Sequence, residues 1–555
     1  MPKKKKKPIN RKALNRKTGK VDIFLFLALF FWLLLLVLIF DPTPFTGGDN
    51  AHYRALAESI LEGNFNRIYE PGAPPETSTP PGYPLLLAPF CAIWPDSFIP
   101  PKIVLSLLTY LGALFISYKL FRFYGVNKWI ALGIPTLLTV NIRISEFSHW
   151  CLTEAPSMFF VVLAILLLEI SFRDKNTILF IISSVIAVFA VYVRLANLPL
   201  VVGFFLYIIY RRKWKKLALF SIIAFLGLFP WGIWTFSKGS SGSNFYFQHL
   251  LSNEAGGTNE VMGFKDLFFR LWGNFRTYTF GHLPNLLFAP FISSYSKTIG
   301  LTTIIGILFT PIWLAGIVKR LQKKNVIVIP FIIIPYLIML YFWAHPRWSC
   351  VRYLVGGAPL FLFAYFEGLD YLKNWVKERI VHYIKIALML LSIFIALFNF
   401  FPDSYTKLNY LPSVKNNIKN INLYLKGYAF PGYPISMTRF IEACRWIKGN
   451  TPYDAILISR KPKLSYMWSR RPSKCYKLVP NSRAIIADID SSNIDFILVD
   501  SFMPDTYNYL IPAIQTYPHR FALVYKTAPP ETYVLKVLPE SETSSFSPVD
   551  SNTTR

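Results

Sequence analysis

A chain of 555 residues that is 53% hydrophobic and 17% aromatic, with a mean hydropathy of +0.38, carries more apolar surface than a soluble core can bury. Its net charge of +29 sits largely in an N-terminal "KKKKK" run and in short clusters between apolar stretches, where it sets membrane orientation and touches anionic lipid, which argues against a nucleic-acid partner. The five scattered cysteines show no metal-ligand spacing; only Cys444 and Cys475 share a soluble segment, so a disulfide, if there is one, joins those two.

In chain order, residues 1–22 read as a basic cytoplasmic tail. The run "IFLFLALFFWLLLLVLIF" at 23–40 is too long for a signal-peptide core and no small-residue cleavage site follows it, so it stays as an anchor. Further spans are predicted at 102–121, 128–141, 155–172, 177–193, 196–211, 216–236, 299–318, 326–344, 354–373 and 382–401, about eleven in all. The segment "YPLLLAPFCAIW" at 83–94 is short and carries two prolines, so it lies at or dips into the interface. Loops rich in Lys and Arg stay cytoplasmic. With eleven spans, every basic connection falls inside: 122–128, "FRDKN", "RRKWKK", "KRLQKKN" and "KNWVKER". The N-terminus is then cytoplasmic, and loops 41–101 and 237–298 and everything after 401 are extracytoplasmic. The expected architecture is a polytopic α-helical protein of the plasma (inner) membrane, with its bundle at 23–401.

Beyond 402 short amphipathic elements replace the apolar blocks. "MTRFIEACRWIKGN" is predicted as a helix ending at Gly449, with strands at "AILIS", "CYKLV", "AIIAD", "DFILVD", "RFALVYK" and "TYVLKV", and a helix at "TYNYLIPAIQTY". Alternating strands and helices predict a small α/β domain over 402–539 that packs or guides an acceptor. A disordered tail is expected at 540–555.

The loops on the outer side hold charged residues near membrane depth: Asp49, Lys102, Arg143, Glu146, His149, Glu154, Arg194, Arg347 and Arg352. Ionisable groups there are costly and tend to mark sites. Basic residues on that side run against the usual bias and ask for an anionic partner, which a phosphate at the membrane surface would be. In "FTGGDNAHYRALAESILEG", Gly47 and Gly48 permit a tight turn and Asp49 heads a helix whose apolar stripe is Tyr53, Leu56, Ala57, Ile60 and Leu61. That helix is expected to lie along the bilayer, with Asp49 either an N-cap or a catalytic carboxylate. The amphipathic "FKDLFFRLWGNF", in loop 237–298, is either a lid over a bound lipid or a passive interfacial helix.

Taken in order, "GGDNAHYRALAESILEGNF", "TPPGYPLLLAPF", "SHWCLTEAPSMFF" and "RYLVGGAPLF", followed by "RWIKGNTPYDAILISRKP", resemble the bacterial glycosyltransferase family 39 pattern of the GT-C superfamily. Protein O-mannosyltransferases and aminoarabinose transferases are relatives of that family. The resemblance covers most of the chain. It implies a polyprenyl-phosphate sugar donor, a glycan, lipid or protein acceptor, and Asp49 as the base that takes the acceptor proton. It makes Arg352 and Arg194, with Lys102 and Arg347, candidates for the lipid phosphate; Arg352 and Arg194 could instead snorkel to headgroups. Glu154 is a candidate for positioning the acceptor or a divalent cation, or a simple helix-start residue; His149, considered for the same role, reads more naturally as a packed side chain. That divalent cation is the one cofactor the resemblance leaves open. One departure stands out: aminoarabinose transferases place a lysine before the Pro-rich motif, where this chain has Thr79. The rival reading is a transporter or flippase of polyprenyl-linked sugars or lipids, which should place its charges near the bilayer midplane rather than at one face.

Overall fold

The computed structural model describes residues 22–43, 48–95, 97–238, 263–288, 301–322, 326–343, 350–400, 414–428 and 430–539. The basic tail through residue 21, Gly47, Arg347, most of "SKGSSGSN" and the tail 540–555 lie outside them.

From the N-terminus, α1 (Ile23–Leu38) is capped by the Asp22 carboxylate, which accepts from the Phe24 N–H. Next come α2 (Gly48–Leu61) and α3 (Gly82–Ile93), then α4 (Ile99–Phe123), α5 (Lys128–Val140), α6 (Glu154–Arg173), α7 (Thr177–Val193), α8 (Leu198–Tyr210) and α9 (Trp214–Lys238). The second half of the bundle is α10 (Phe264–Thr277), α11 (Leu283–Phe288), α12 (Leu301–Gln322), α13 (Ile329–Trp343), α14 (Ala358–Gly368) and α15 (Glu378–Phe400).

A helix stands at each of the eleven expected spans, but length and composition support fewer crossings. Among the described residues only α4, α6, α9, α12 and α15 are long and apolar enough to cross alone, and α5 with the bent segment to Ser148 makes a sixth. The expected 354–373 span is broken: 3-10 turns at Val351–Gly357 and Leu369–Asn374 flank an 11-residue helix, because Gly356, Gly357 and Pro359 interrupt its start. At the centre is α6, with 61% of its apolar window buried, while α9 buries 6% and turns to lipid. In α10, Arg270 and Asn274 face inward while Phe264, Phe268, Phe269 and Trp272 are exposed, the orientation of an interfacial helix.

The basic connections gather at one end of the bundle. Lys128 pairs with Asp22 at 2.7 Å, Lys216 donates to the Ser171 carbonyl, and Lys385 pairs with Asp370 at 2.6 Å beside Lys319. Glu169, buried near that end of α6, accepts from Tyr124, Tyr207 and the Val328 N–H. Buried charge is therefore present at both ends of the bundle, whereas the sequence placed it at one.

After α16 (Val414–Leu425), the C-terminal domain is built from α17 (Ile435–Asn450), β1 (Leu457–Ile458), α18 (Pro462–Ser469), β2 (Ser473–Lys474), α19 (Ser482–Ser491), β3 (Phe496–Val499), α20 (Ile511–Thr516), β4 (Phe521–Lys526) and β5 (Tyr533–Val537). The sheet order is β2-β1-β3-β5-β4, with β1 parallel to both its neighbours and β5 antiparallel to both of its own. "AIIAD", expected as a strand, is helical in α19: Asn481 accepts from the Ala484 N–H, and Ile485, Ile486 and Ile489 bury one face at helical spacing. The strand expected at "CYKLV" is confined to Ser473 and Lys474, just before it. Cys444 and Cys475 are free thiols.

Candidate active site

The helix α2 does not lie open on a membrane surface as expected. Ala57 packs into a cluster with Tyr83, Leu87 and Val193, while Ala51 joins the cluster of Phe440 and Leu464 from the C-terminal domain. The helix is held between α3 on one side and the domain on the other. Gly82 makes this possible, since a Cβ there would meet the Tyr192 backbone at 2.5 Å as α3 crosses the end of α7. Gly48 is already helical, so Asp49 stands in the first turn.

There the Asp49 Oδ2 accepts from Arg352 Nη1 at 2.5 Å, across 303 residues of sequence. Arg352 comes from the 3-10 turn before α14, which approaches α6 closely because Gly356 has no Cβ to meet Ser157 Oγ. Its Nε donates to Glu154 Oε1 at the first residue of α6, and the same oxygen accepts from Arg194 at the end of α7. Arg194 also donates to Thr153 Oγ1 at 3.1 Å and lies over the Tyr353 ring. Four charges from four segments thus form one chain, Asp49–Arg352–Glu154–Arg194. Along it the Asp49 side chain is 47% exposed and the Glu154 side chain 1% exposed.

Desolvation pulls the Asp49 carboxyl upward, but the Arg352 guanidinium outweighs it and, with Lys463, holds it below its ordinary value. Tyr53, beside the network, is pushed by burial to about 12. Burial, with Lys463, pushes His52 well below its ordinary value; its Nε2 lies 2.9 Å from Thr79 Oγ1 and 3.4 Å from Glu76 Oε2.

The other candidates lie elsewhere. Lys102 is fully buried and donates to the Asp41 carbonyl at 2.6 Å and to the Thr43 carbonyl, so it braces the start of loop 41–101. His149 is buried against Trp150, and neither ring nitrogen has a hydrogen-bond partner among the described residues. Glu146 is buried, and neither it nor Arg143 belongs to the ion-pair chain. Among the described residues no three His, Cys, Asp or Glu side chains stand together as a metal site. Sequence reasoning missed Lys463. It sits on α18 of the C-terminal domain, half-buried, with no ion pair among the described residues, and acts electrostatically on both Asp49 and His52. Nothing local in "RKPKLSYMW" marks it; only the docking of α18 on α2 does.

A bundle of membrane-crossing helices, a loop helix presenting a carboxylate to arginines, and an α/β domain docked over it define a multi-pass membrane protein. Over 94% of its length the chain resembles ArnT from Cupriavidus metallidurans in the apo state, with a TM-score of 0.53, 14% identity and 98% of that chain covered. The same protein bound to undecaprenyl phosphate is matched with the same score and identity, over 94% of this chain and 99% of that one. The mycobacterial arabinofuranosyltransferase AftD is matched at a TM-score of 0.51 and 10% identity, over 94% of this chain and 42% of AftD. These likenesses establish the fold. No protein-family model and no curated protein matches the sequence.

Proposed function

We propose that this protein is a glycosyltransferase that moves a hexosyl or pentosyl group from a polyprenyl phosphate to a glycan, lipid or protein acceptor on the extracytoplasmic face of the membrane. The observation that carries this reading is the Asp49–Arg352–Glu154–Arg194 chain, set on a fold shared with a protein solved with undecaprenyl phosphate. An acceptor oxygen attacks the anomeric carbon, the bond from that carbon to the phosphate oxygen breaks, and its electron pair leaves with the phosphate. The acceptor proton goes to Asp49, whose Oδ1 carries no hydrogen bond among the described residues while Oδ2 is held by Arg352. Attack from the side opposite the leaving group inverts the anomeric centre.

Two arginines and two carboxylates neutralise one another, so the network by itself offers no net charge to a leaving phosphate. Glu154 therefore serves to orient Arg352 and Arg194 as donors, and Lys463 supplies a cation from outside the ion-pair chain. Arg347 stays a candidate for the same phosphate, outside the described residues. The test is Asp49→Asn in purified protein with a polyprenyl-phosphate sugar. Asn is nearly isosteric and a good cap, so melting should hold, while turnover should fall by roughly 100- to 10,000-fold. An active, stable Asp49→Asn variant ends the assignment of Asp49 as base.

A further inference from the structure

On the face opposite Asp49, a cavity of about 610 Å³ opens between the 125–127 turn, the end of α14 and the start of α15. Its walls carry Glu367, Asp370, Lys373, Glu378, Arg379 and Lys385. The carboxylates are already spoken for. Glu367 pairs with Arg320 at 2.8 Å and Lys319 at 3.1 Å, Asp370 with Lys385 at 2.6 Å and with Lys319, and Glu378 with Lys373 at 2.5 Å. With Lys319 and Arg320, which pair with the lining carboxylates without lining the cavity themselves, four cations meet three carboxylates; Arg379, whose Nε donates to the Tyr383 hydroxyl at 3.1 Å, adds a fifth with no carboxylate partner among the described residues, so the cluster as a whole carries two positive charges over.

An apolar groove lies beside this polar cavity. Ile130 lines both the cavity and the groove, which measures about 430 Å³ and is walled by α1, α5 and α15, with Ala28, Thr136, Ile386 and Met389 along it. On α15 the lining residues Arg379, His382, Ile386, Met389 and Ile393 recur at helical spacing, polar in the first turn and apolar beyond it. A surplus of positive charge at the membrane surface, beside an apolar groove that shares the α5 and α15 walls, matches a phosphodiester headgroup joined to an acyl chain.

We propose that this face binds one anionic phospholipid, its phosphate at Arg379 and Lys373 and an acyl chain in the groove between α1, α5 and α15. The site is independent of the glycosyl-transfer reading.

The experiment is native mass spectrometry of the full chain in detergent, titrated with phosphatidylglycerol or phosphatidylcholine of equal chain length, with melting followed in parallel. One phosphatidylglycerol should be retained where phosphatidylcholine is stripped, and it should raise the melting temperature. Arg379→Glu and the milder Arg379→Gln should each lower retention, by tenfold or more for Glu. Ala28→Trp, which fills the groove and leaves every charge in place, should do the same. Lys175→Glu, an exposed charge on the same face, should change nothing. Equal retention of the two lipids, undiminished retention in Arg379→Glu and Ala28→Trp, or an equal loss in Lys175→Glu would each overturn the proposal. So would glycerol phosphate stabilising the protein as well as the lipid does, since that identifies a soluble phosphate site.

Discussion

Asp49 and Glu154 both hold Arg352, yet their surroundings divide the labour between them. A group that receives a proton from substrate must be reachable, and Asp49 is the exposed end of the chain of charges; Glu154, shielded from solvent, is suited to fixing two guanidinium groups in place. As the proposed base Asp49 would act in its ionised form, and Arg352 holds its pKa below the ordinary value. The acid limb of the pH–rate profile should therefore lie below the usual carboxylate range, and Arg352→Gln should move it upward while lowering turnover. A limb that stays put in Arg352→Gln, measured as sugar transfer against pH, would uncouple the two residues. Lys463 carries a separate expectation. If it meets the leaving phosphate, Lys463→Ala should cut kcat/KM for the donor by roughly tenfold or more, the scale of one charge-assisted contact, with melting unchanged. Lys448→Ala, a charge removed from the neighbouring helix α17, should leave donor use intact. The acids and arginines of this network were legible in the sequence because charge at membrane depth is conspicuous. Lys463 was not, because a lysine on a soluble helix is ordinary until tertiary contact brings it to Asp49.

At the scale of elements, the apolar runs located the helices well and their lengths poorly. Hydropathy reports where a chain can be buried, but it does not see the glycines and the proline at 356–359 that turn one expected span into two 3-10 turns around a short helix. The same limit explains α19. "AIIAD" is a β-rich composition, but Asn481 at the cap and isoleucines at helical spacing decide the outcome. Glu169 shows what hydropathy hides inside a span. It satisfies the Val328 N–H at 2.9 Å and the Tyr124 hydroxyl at 3.0 Å, tying α6 to the turn after α4 and to the start of α13. Glu169→Ala should leave those donors buried without an acceptor, at about 1–3 kcal/mol each, and lower the melting temperature in detergent. Glu169→Gln keeps an acceptor oxygen and should recover most of the loss. If alanine melts like the parent, the residue is not a structural tie.

For the whole molecule, the question is which side of the membrane the Asp49 network faces, and two contacts constrain the answer. The C-terminal domain sits on α2 and the loop after it: Arg470 pairs with Glu58 at 2.6 Å, and the Ser473 N–H donates to the Tyr69 carbonyl at 2.7 Å. The domain and Asp49 therefore share a side. The basic connections are grouped at the other end, through Lys128 with Asp22 and Lys385 with Asp370. Since loops rich in Lys and Arg are retained in the cytoplasm, the network and the domain should both be extracytoplasmic, where a sugar already carried across on a lipid would meet its acceptor. A reporter active only outside, fused after residue 539, should be active, and one active only in the cytoplasm should be silent there. A single cysteine at the exposed Tyr453 of the domain, with the native cysteines replaced, should react with an impermeant reagent in intact cells, and one at Lys175 should react only after lysis. The opposite labelling pattern would put Asp49 in the cytoplasm, and the lipid-linked donor proposed for it would then have to be used before export.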